Sequence, residues 1–445
     1  MNRLRILQVN SADRGGGAEG SAWGLFQAYR ARGHASWLAV GRKESDDPGV
    51  LVVPNPPRDH LWYRACEAAA KALEPWDGRR LGAGRLRGLL KRWAHPRERL
   101  LRRRGFEHYD YPGTHAVLNL PPERPDIVHC HNLHGGYFDL RALPELSRRA
   151  PLILNPRDIW LLTGLPMDVL PHVRWEESFD VQLTARERRA AERNWALKQR
   201  IYRDSRLYVA TPSRWLMDRA VQVGLGGKMR RVIPNAIDLD VFRPGDQARA
   251  RRELALPLDA RVVLLSAHNL FKDWPVLTAA LQRVYLPNDE LVVVCAGRRE
   301  EEFALRRGRA VFPGFVRPAG RMALYYQAAD LYVHAATTES FGKTVTEAMA
   351  CGTPVVATRV GGIPEQVEDG VTGVLTPPGD PAAMAAQVEQ LLADPALRRR
   401  MGEAAAQRAR EQFGLDRQVN AFLAFYEEVI ADWREYKGHA SRHAE

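Results

Sequence analysis

The apolar positions of this chain fall into short continuous runs separated by longer amphipathic stretches. Residues 4–10 form the first run, a glycine-rich segment follows at 11–17, and then Ala18, Ala22, Leu25, Phe26 and Tyr29 recur at helical spacing. Gly33, within Arg32-Gly33-His34, suits the left-handed geometry that ends a helix, and residues 35–40 supply the next run. Strand, glycine loop, helix, strand is a βαβ unit. Further strands are predicted at 126–130, 151–155, 207–210 and 231–233, and a second series at 262–267, 291–296, 331–334, 354–357 and 373–376, with helical patterns between most of them. From about residue 381 the pattern is helical, and 415–437 is long enough to reach back across two domains. The expected fold class is α/β: two Rossmann-like doubly wound domains facing a cleft, with domains at 1–235 and 236–414 and a returning helix at 415–445.

Composition narrows the picture. A chain of 445 residues exceeds one ordinary core, and 45% hydrophobic with 27% charged residues fits a globular protein throughout. Cys66, Cys130, Cys295 and Cys351 lie far apart with no CxxC pair, so neither a zinc site nor a disulfide framework is signalled. Residues 1–8 enter a strand without the marks of a secretory leader, and no apolar run approaches the roughly 18 residues of a membrane span. These features point to the cytoplasm. Most of the net charge of +12 is local: residues 77–108 hold eleven Arg or Lys against three acids. Leu81, Leu86, Leu89, Leu90 and Trp93 stand among those arginines, a pattern that suits an amphipathic helix on the anionic inner face of a membrane and equally a solvated helix packing its leucines inward.

The densest chemical signal runs from Thr338 to Ala357 and on through Gly361-Gly362-Ile363-Pro364-Glu365. Two acids, Glu339 and Glu347, are separated by seven residues; residues 340–344 read as a loop entering the helix that carries Glu347. Amides and the positive end of a helix would then face one small volume, which suits an anion. This stretch resembles the Glu-x7-Glu signature of the family 4 retaining glycosyltransferases, which have the GT-B fold. The resemblance extends through Pro212-Ser213, the linker from Ile233-Pro234-Asn235 to Pro244, Phe312-Pro313-Gly314-Phe315, Ala329-Asp330 and 369–373. In the first half, 126–136 and Asp158-Ile159-Trp160-Leu161-Leu162-Thr163-Gly164 are similar to a polysaccharide-assembling branch of that family.

The resemblance implies roles residue by residue. Glu339 would contact the donor sugar hydroxyls and Glu347 the ribose hydroxyls of a nucleotide diphosphate sugar. The amides of Phe341, Gly342, Lys343 and Thr344 would hold sugar and diphosphate, with Lys272 as the diphosphate lysine and Gly16 and Gly17 approaching the phosphate. Gly314 and Phe315 would lie beside the base, and His131 near the reacting sugar. Arg157 and Asp158 would face a saccharide or lipid-linked acceptor, and no metal or other cofactor is implied. Ala267 stands where the family commonly has an arginine, with His268 or Arg214 as candidate substitutes, and Arg157 stands where the branch has histidine. Asp238-Leu239-Asp240 resembles a metal-binding Asp-x-Asp, but the linker motif accounts for it. Two other classes stay open at this point: a degenerate GT-B scaffold that binds without transfer, and a basic nucleic-acid-binding protein, for which no recognised motif speaks. A phosphorylase or epimerase on a similar fold is a rival within the same class.

Overall fold

The computed structural model describes residues 3–55, 60–74, 83–93, 107, 109–165, 184–266, 273–297 and 304–442. Seven strands, β1 (Arg5–Ala12), β2 (Ala35–Arg42), β3 (Val50–Val52), β4 (Ile127–Cys130), β5 (Leu152–Leu154), β6 (Leu207–Thr211) and β7 (Arg230–Val232), form one sheet in the order β3-β2-β1-β4-β5-β6-β7. Six more, β8 (Arg261–Ser266), β9 (Leu291–Ala296), β10 (Gly308–Gly314), β11 (Leu331–His334), β12 (Val355–Thr358) and β13 (Gly373–Thr376), form a second in the order β10-β9-β8-β11-β12-β13. The strands pair in parallel. Parallel strands are covered on both faces by their crossover helices, which removes the polar alternation of a half-exposed strand. Accordingly β4, β5, β6, β9, β11 and β12 are buried at every position. In β8, Val262 and Leu264 join the core on one face of the sheet while Val263 and Leu265 join the core on the other.

The chain divides into two compact units, the first drawing on residues 1–154, 160–167 and 182–208, the second on 155–159, 168–181 and 209–445. Within each sheet the strand order reverses once, between β1 and β4 and between β8 and β11. Such a reversal lets the loops leaving two neighbouring strands diverge, and the crevice outside their carboxyl ends is where open α/β sheets bind ligands.

Two strands escaped the sequence pattern. β3 has three residues, and β10 lies at a sheet edge with partly or fully exposed positions and Pro313, so neither shows a continuous buried run. In the basic region the leucine spacing corresponds to a helix, Ala83–Trp93, and a second helix, His60–Ala72, precedes it. Residues 77–82, 94–106 and 108 of that region lie outside the described residues. The chain closes with helices Pro381–Ala393, Pro395–Gln412 and Leu415–Arg442. In the last of these Gln418 Nε2 donates to Pro234 O at 2.8 Å, Glu428 pairs with Arg231, and the Arg231 guanidinium lies over the Phe425 ring, so this helix runs along β7 within the second unit.

Candidate active site

At the reversal of the second sheet, β11 leads into residues 335–342 and then into helix Lys343–Ala350. The helix exists because Val345, Thr346, Ala348, Met349 and Ala350 bury one side of it, leaving Lys343, Thr344 and Glu347 on the remaining face. Its N-cap is Gly342, at φ +79, with no side-chain cap; Val345 N donates to Gly342 O at 2.9 Å, which leaves the Lys343 and Thr344 amides of the first turn to a ligand or solvent. A Cβ on Gly342 would come within 2.5 Å of Ile363 Cδ1. Behind the loop, Gly361 (φ +54) approaches so closely that a Cβ would lie 2.0 Å from Glu339 O, and Gly362 N donates to that oxygen at 2.8 Å. Gln366 Nε2 donates to Phe341 O. The two glycines and Gln366 thus dictate the course of residues 339–342.

The same loop is tied to helix Arg214–Gln222. Ser213 Oγ donates to Ser340 O at 2.7 Å, and the Glu365 carboxylate accepts from Arg214 N at 2.8 Å and Trp215 N at 2.9 Å, satisfying two first-turn amides. Sequence reading quoted Glu365 and Ser213 as parts of motifs without finding this partnership.

Of the two acids, Glu347 is partly exposed as a residue, yet its carboxyl is surrounded by enough protein that desolvation raises its pKa, an effect opposed by Lys343 and by the Tyr326 phenol. Tyr326 Oη donates to Glu347 Oε2 at 3.1 Å. Glu339 is partly exposed and faces a buried imidazole, with His334 Nε2 3.7 Å from Glu339 Oε2. Thr344 Oγ1 lies close to the buried Tyr332 phenol without a hydrogen bond of normal geometry. The structure therefore brings Glu339, Phe341, Gly342, Lys343, Thr344 and Glu347 together on one loop and helix start. His268, Lys272 and Ala267 lie outside the described residues. Asp273 donates its N–H to Ala335 O at 3.0 Å, which sets Asp273 beside the start of the 335–342 loop.

In the first sheet the reversal is flanked by the glycine segment after β1 and by residues 131–136 after β4. Gly16 is the N-cap of helix Gly17–Ala31, and Gly16 and Gly17 are exposed. Glu19, in the first helical turn, folds back: Ser11 Oγ donates to its Oε1 at 2.9 Å, and its Oε2 lies 3.3 Å from where a Gly16 Cβ would stand. His131 is fully buried, its Nε2 2.8 Å from Gln8 Oε1 and its ring 4.0 Å from that of His129. His134 is partly exposed and meets Trp160 edge to face at 5.6 Å.

The motif around Trp160 is held by residues that sequence reading missed. Lys198, fully buried on helix Ala185–Arg203, donates to Trp160 O and Thr163 O at 2.9 Å each and lies 3.0 Å from Glu107 Oε2 and 4.0 Å from the Trp160 ring centre. Glu107 Oε1 accepts from Trp160 Nε1 at 2.6 Å, and Tyr202 Oη donates to Leu161 O at 2.7 Å. Gly164 fits because any Cβ would lie 1.9 Å from Ala191 O. A lysine amid arginines on an amphipathic helix carries no mark of burial, which is why pattern alone passed over it. Arg157 and Asp158 are partly buried; Arg157 donates to Asn235 Oδ1 in the linker.

The remaining candidates are dispersed. Gly314 (φ +69) ends β10 and Phe315 is 59% exposed under the Arg317 guanidinium. Asp238 Oδ1 accepts from the backbone N–H groups of Asp240 and Val241, a turn-forming use of the carboxylate. Among the described residues no group of three or more His, Cys, Asp or Glu is placed to hold a metal, and no helix is long and apolar enough to cross a membrane.

Solved structures share this architecture. Sucrose-phosphate synthase from Thermosynechococcus elongatus matches with a TM-score of 0.65 at 19% identity, covering 97% of this chain and 100% of the other. HepE of Anabaena, solved in complex with UDP and glucose, matches with a TM-score of 0.60 at 19% identity over 96% of this chain and 100% of the other. At that identity the likeness speaks for the fold: two parallel-sheet, Rossmann-like domains. Among curated proteins, the D-inositol 3-phosphate glycosyltransferase of Acidothermus cellulolyticus is 35% identical over 221 residues, 46% of this chain and 49% of that protein. The chain spans about half the length of several such relatives. The family model for glycosyl transferases group 1 matches residues 246–408. D-inositol 3-phosphate glycosyltransferase 1 of Catenulispora acidiphila is 32% identical over 343 residues, which cover 72% of this chain and 76% of that protein, and the chain thus belongs to the group 1 glycosyltransferases.

Proposed function

We propose that this chain is a retaining, metal-independent hexosyltransferase that moves a sugar from a nucleotide diphosphate sugar to an acceptor hydroxyl in polysaccharide or glycolipid assembly. The observation that carries the reading is the 339–347 segment, where two carboxylates and an uncapped helix start share one loop held by Gly361 and Gly362. Polyol hydroxyls suit the carboxylates and a diphosphate suits the amides. In this reading Glu347 holds the ribose, Glu339 the donor sugar, and the amides of 341–344 with Lys272 stabilise charge growing on the leaving diphosphate. Gly16 and Gly17 serve the phosphate, Gly314 and Phe315 the base, and His131 positions the sugar through the polar network it shares with Gln8. The acceptor oxygen bonds to the anomeric carbon as the carbon–phosphate-oxygen bond breaks on the same face, and the acceptor proton passes to the departing phosphate. His268 is assigned to the phosphate side, Arg157 and Asp158 to the acceptor side.

Complexes of HepE with UDP-glucose support trying UDP-sugars first. Calorimetry with UDP-, GDP- and ADP-sugars, without added metal, is expected to find one donor that binds wild type and is lost in Glu347→Ala; a panel in which none binds would overturn the reading.

The basic region supports a peripheral position at the inner membrane face. Trp62, Leu86, Leu89 and Trp93 are each about half exposed on helices His60–Ala72 and Ala83–Trp93, the second of which contains no acidic residue, and Trp62 Nε1 donates to Trp93 O at 2.8 Å. Vesicles containing phosphatidylglycerol should retain the protein at low salt and phosphatidylcholine vesicles should not, with Leu89→Ser and Trp93→Ser weakening retention; equal behaviour on both lipids would refute the assignment.

A further inference from the structure

The imidazole behind Glu339 has no role in the reading above. His334 is the last residue of β11 and is 1% exposed, so it cannot itself touch a ligand of ordinary size. Its Nδ1 lies 3.3 Å from Tyr332 Oη, and Tyr332 is fully buried. Its Nε2 lies 3.7 Å from Glu339 Oε2. Tyr332, His334 and Glu339 thus form a line running from the core to the partly exposed carboxylate.

Chemistry orients this line. An ionised carboxylate only accepts hydrogen bonds, so the favourable tautomer places the imidazole proton on Nε2, facing Glu339. Nδ1 is then an acceptor, which the Tyr332 O–H can satisfy. At 3.7 Å the imidazole and carboxylate are in electrostatic contact and short of a hydrogen bond. The imidazole thereby draws one carboxylate oxygen toward the protein. Each contact that narrows the rotamers of a glutamate sharpens its discrimination of hydroxyl geometry, which differs between sugar epimers.

We infer that His334 is a positioning residue for Glu339 and, through it, a determinant of which donor sugar is held. The inference rests on the proposed role of Glu339 as the sugar-contacting acid. A structural role for His334 and this positioning role make different demands: packing supports the whole fold and every ligand, whereas orientation of Glu339 concerns only the sugar half of the donor.

The test is calorimetric, on the full chain, with UDP-glucose, UDP-galactose, GDP-mannose and ADP-glucose set beside UDP, GDP and ADP. For the donor that binds, His334→Leu is expected to weaken the nucleotide sugar several-fold as Glu339 loses an orienting electrostatic contact, while affinity for the bare nucleotide diphosphate is unchanged. His334→Gln, whose amide N–H can replace that of Nε2, is expected to restore most of the loss. Equal weakening of nucleotide and nucleotide sugar in both variants, or no change in either, overturns the inference. Glu339→Gln separates the two levels. If it leaves sugar affinity intact, or if no donor binds wild type, the proposed function of this loop is what has failed; if it loses sugar affinity while His334→Leu does not, the failure belongs to His334 alone.

Discussion

Replacing Lys198 by methionine keeps the stem that packs on Trp160 and removes the ammonium beneath it. Three acceptors lose their donor at once: Trp160 O, Thr163 O and Glu107 Oε2. The lysine side chain is wholly buried and that of Glu107 is 10% exposed, so neither the carbonyls nor the carboxylate can turn to bulk water without opening the 160–165 segment. Glu107 keeps Trp160 Nε1 and the Tyr109 phenol, but its charge is left unpaired. Breaking a buried ion pair from one side typically costs about 3–5 kcal/mol, and the lost cation–ring contact adds roughly 0.5–2 kcal/mol. Against a total stability of about 5–15 kcal/mol this is a large share. Urea unfolding followed by tryptophan fluorescence and circular dichroism should show a marked fall in the midpoint for Lys198→Met. Lys198→Met combined with Glu107→Gln should recover part of it, because the orphaned charge is gone. A loss below about 1 kcal/mol, or a double variant no better than the single one, would refute the argument that this pair holds the 160–165 segment in place.

Two further outcomes concern the 339–347 segment and its proposed donor role. Gly361→Ala puts a Cβ 2.0 Å from Glu339 O at a positive φ, and should weaken donor binding more than tenfold by displacing residues 339–340, whereas Gly370→Ala, equally left-handed but with open space at its Cβ, should leave donor binding intact; calorimetry on both compares clash with strain. Burial raises the Glu347 carboxyl above its ordinary 4.5, so at low pH, where folded and unfolded chains both hold the proton, Glu347→Gln should match wild type. As pH rises through 4.5 and then through the raised folded value, wild type loses stability that the glutamine variant keeps, and the gap in melting temperature should open over that window and then stay constant; a gap that is largest in acid would reverse the sign and defeat the argument.

Much of this protein is local in its encoding. The buried strands declare themselves as unbroken apolar runs, and the left-handed Gly33 and Gly342 sit where a helix must end or begin. The 339–347 segment is legible because its members are eight residues apart: a loop, a glycine cap and one helical turn are enough to bring both acids and the amides to one place. β3 and the edge strand β10 were missed because they lack two buried faces.

What the sequence by itself determined is therefore the alternation of elements, the two parallel sheets and the loop and helix start that carry Glu339 and Glu347, all of which depend on the period and spacing of neighbouring residues. Tertiary structure alone decided the partnerships. Glu365 finds the amide of Trp215 across 150 residues, Lys198 finds Trp160 O across 38, and His334 comes to stand behind Glu339 because β11 ends where its loop turns back. Burial fixed the charge environment of Glu347 as well, since a glutamate on a helix carries nothing in its identity that says how much protein will surround it. Periodicity reports which side of an element is apolar; which distant side chain meets that element is set by how the whole chain packs, and a single sequence does not contain that pairing in any local pattern.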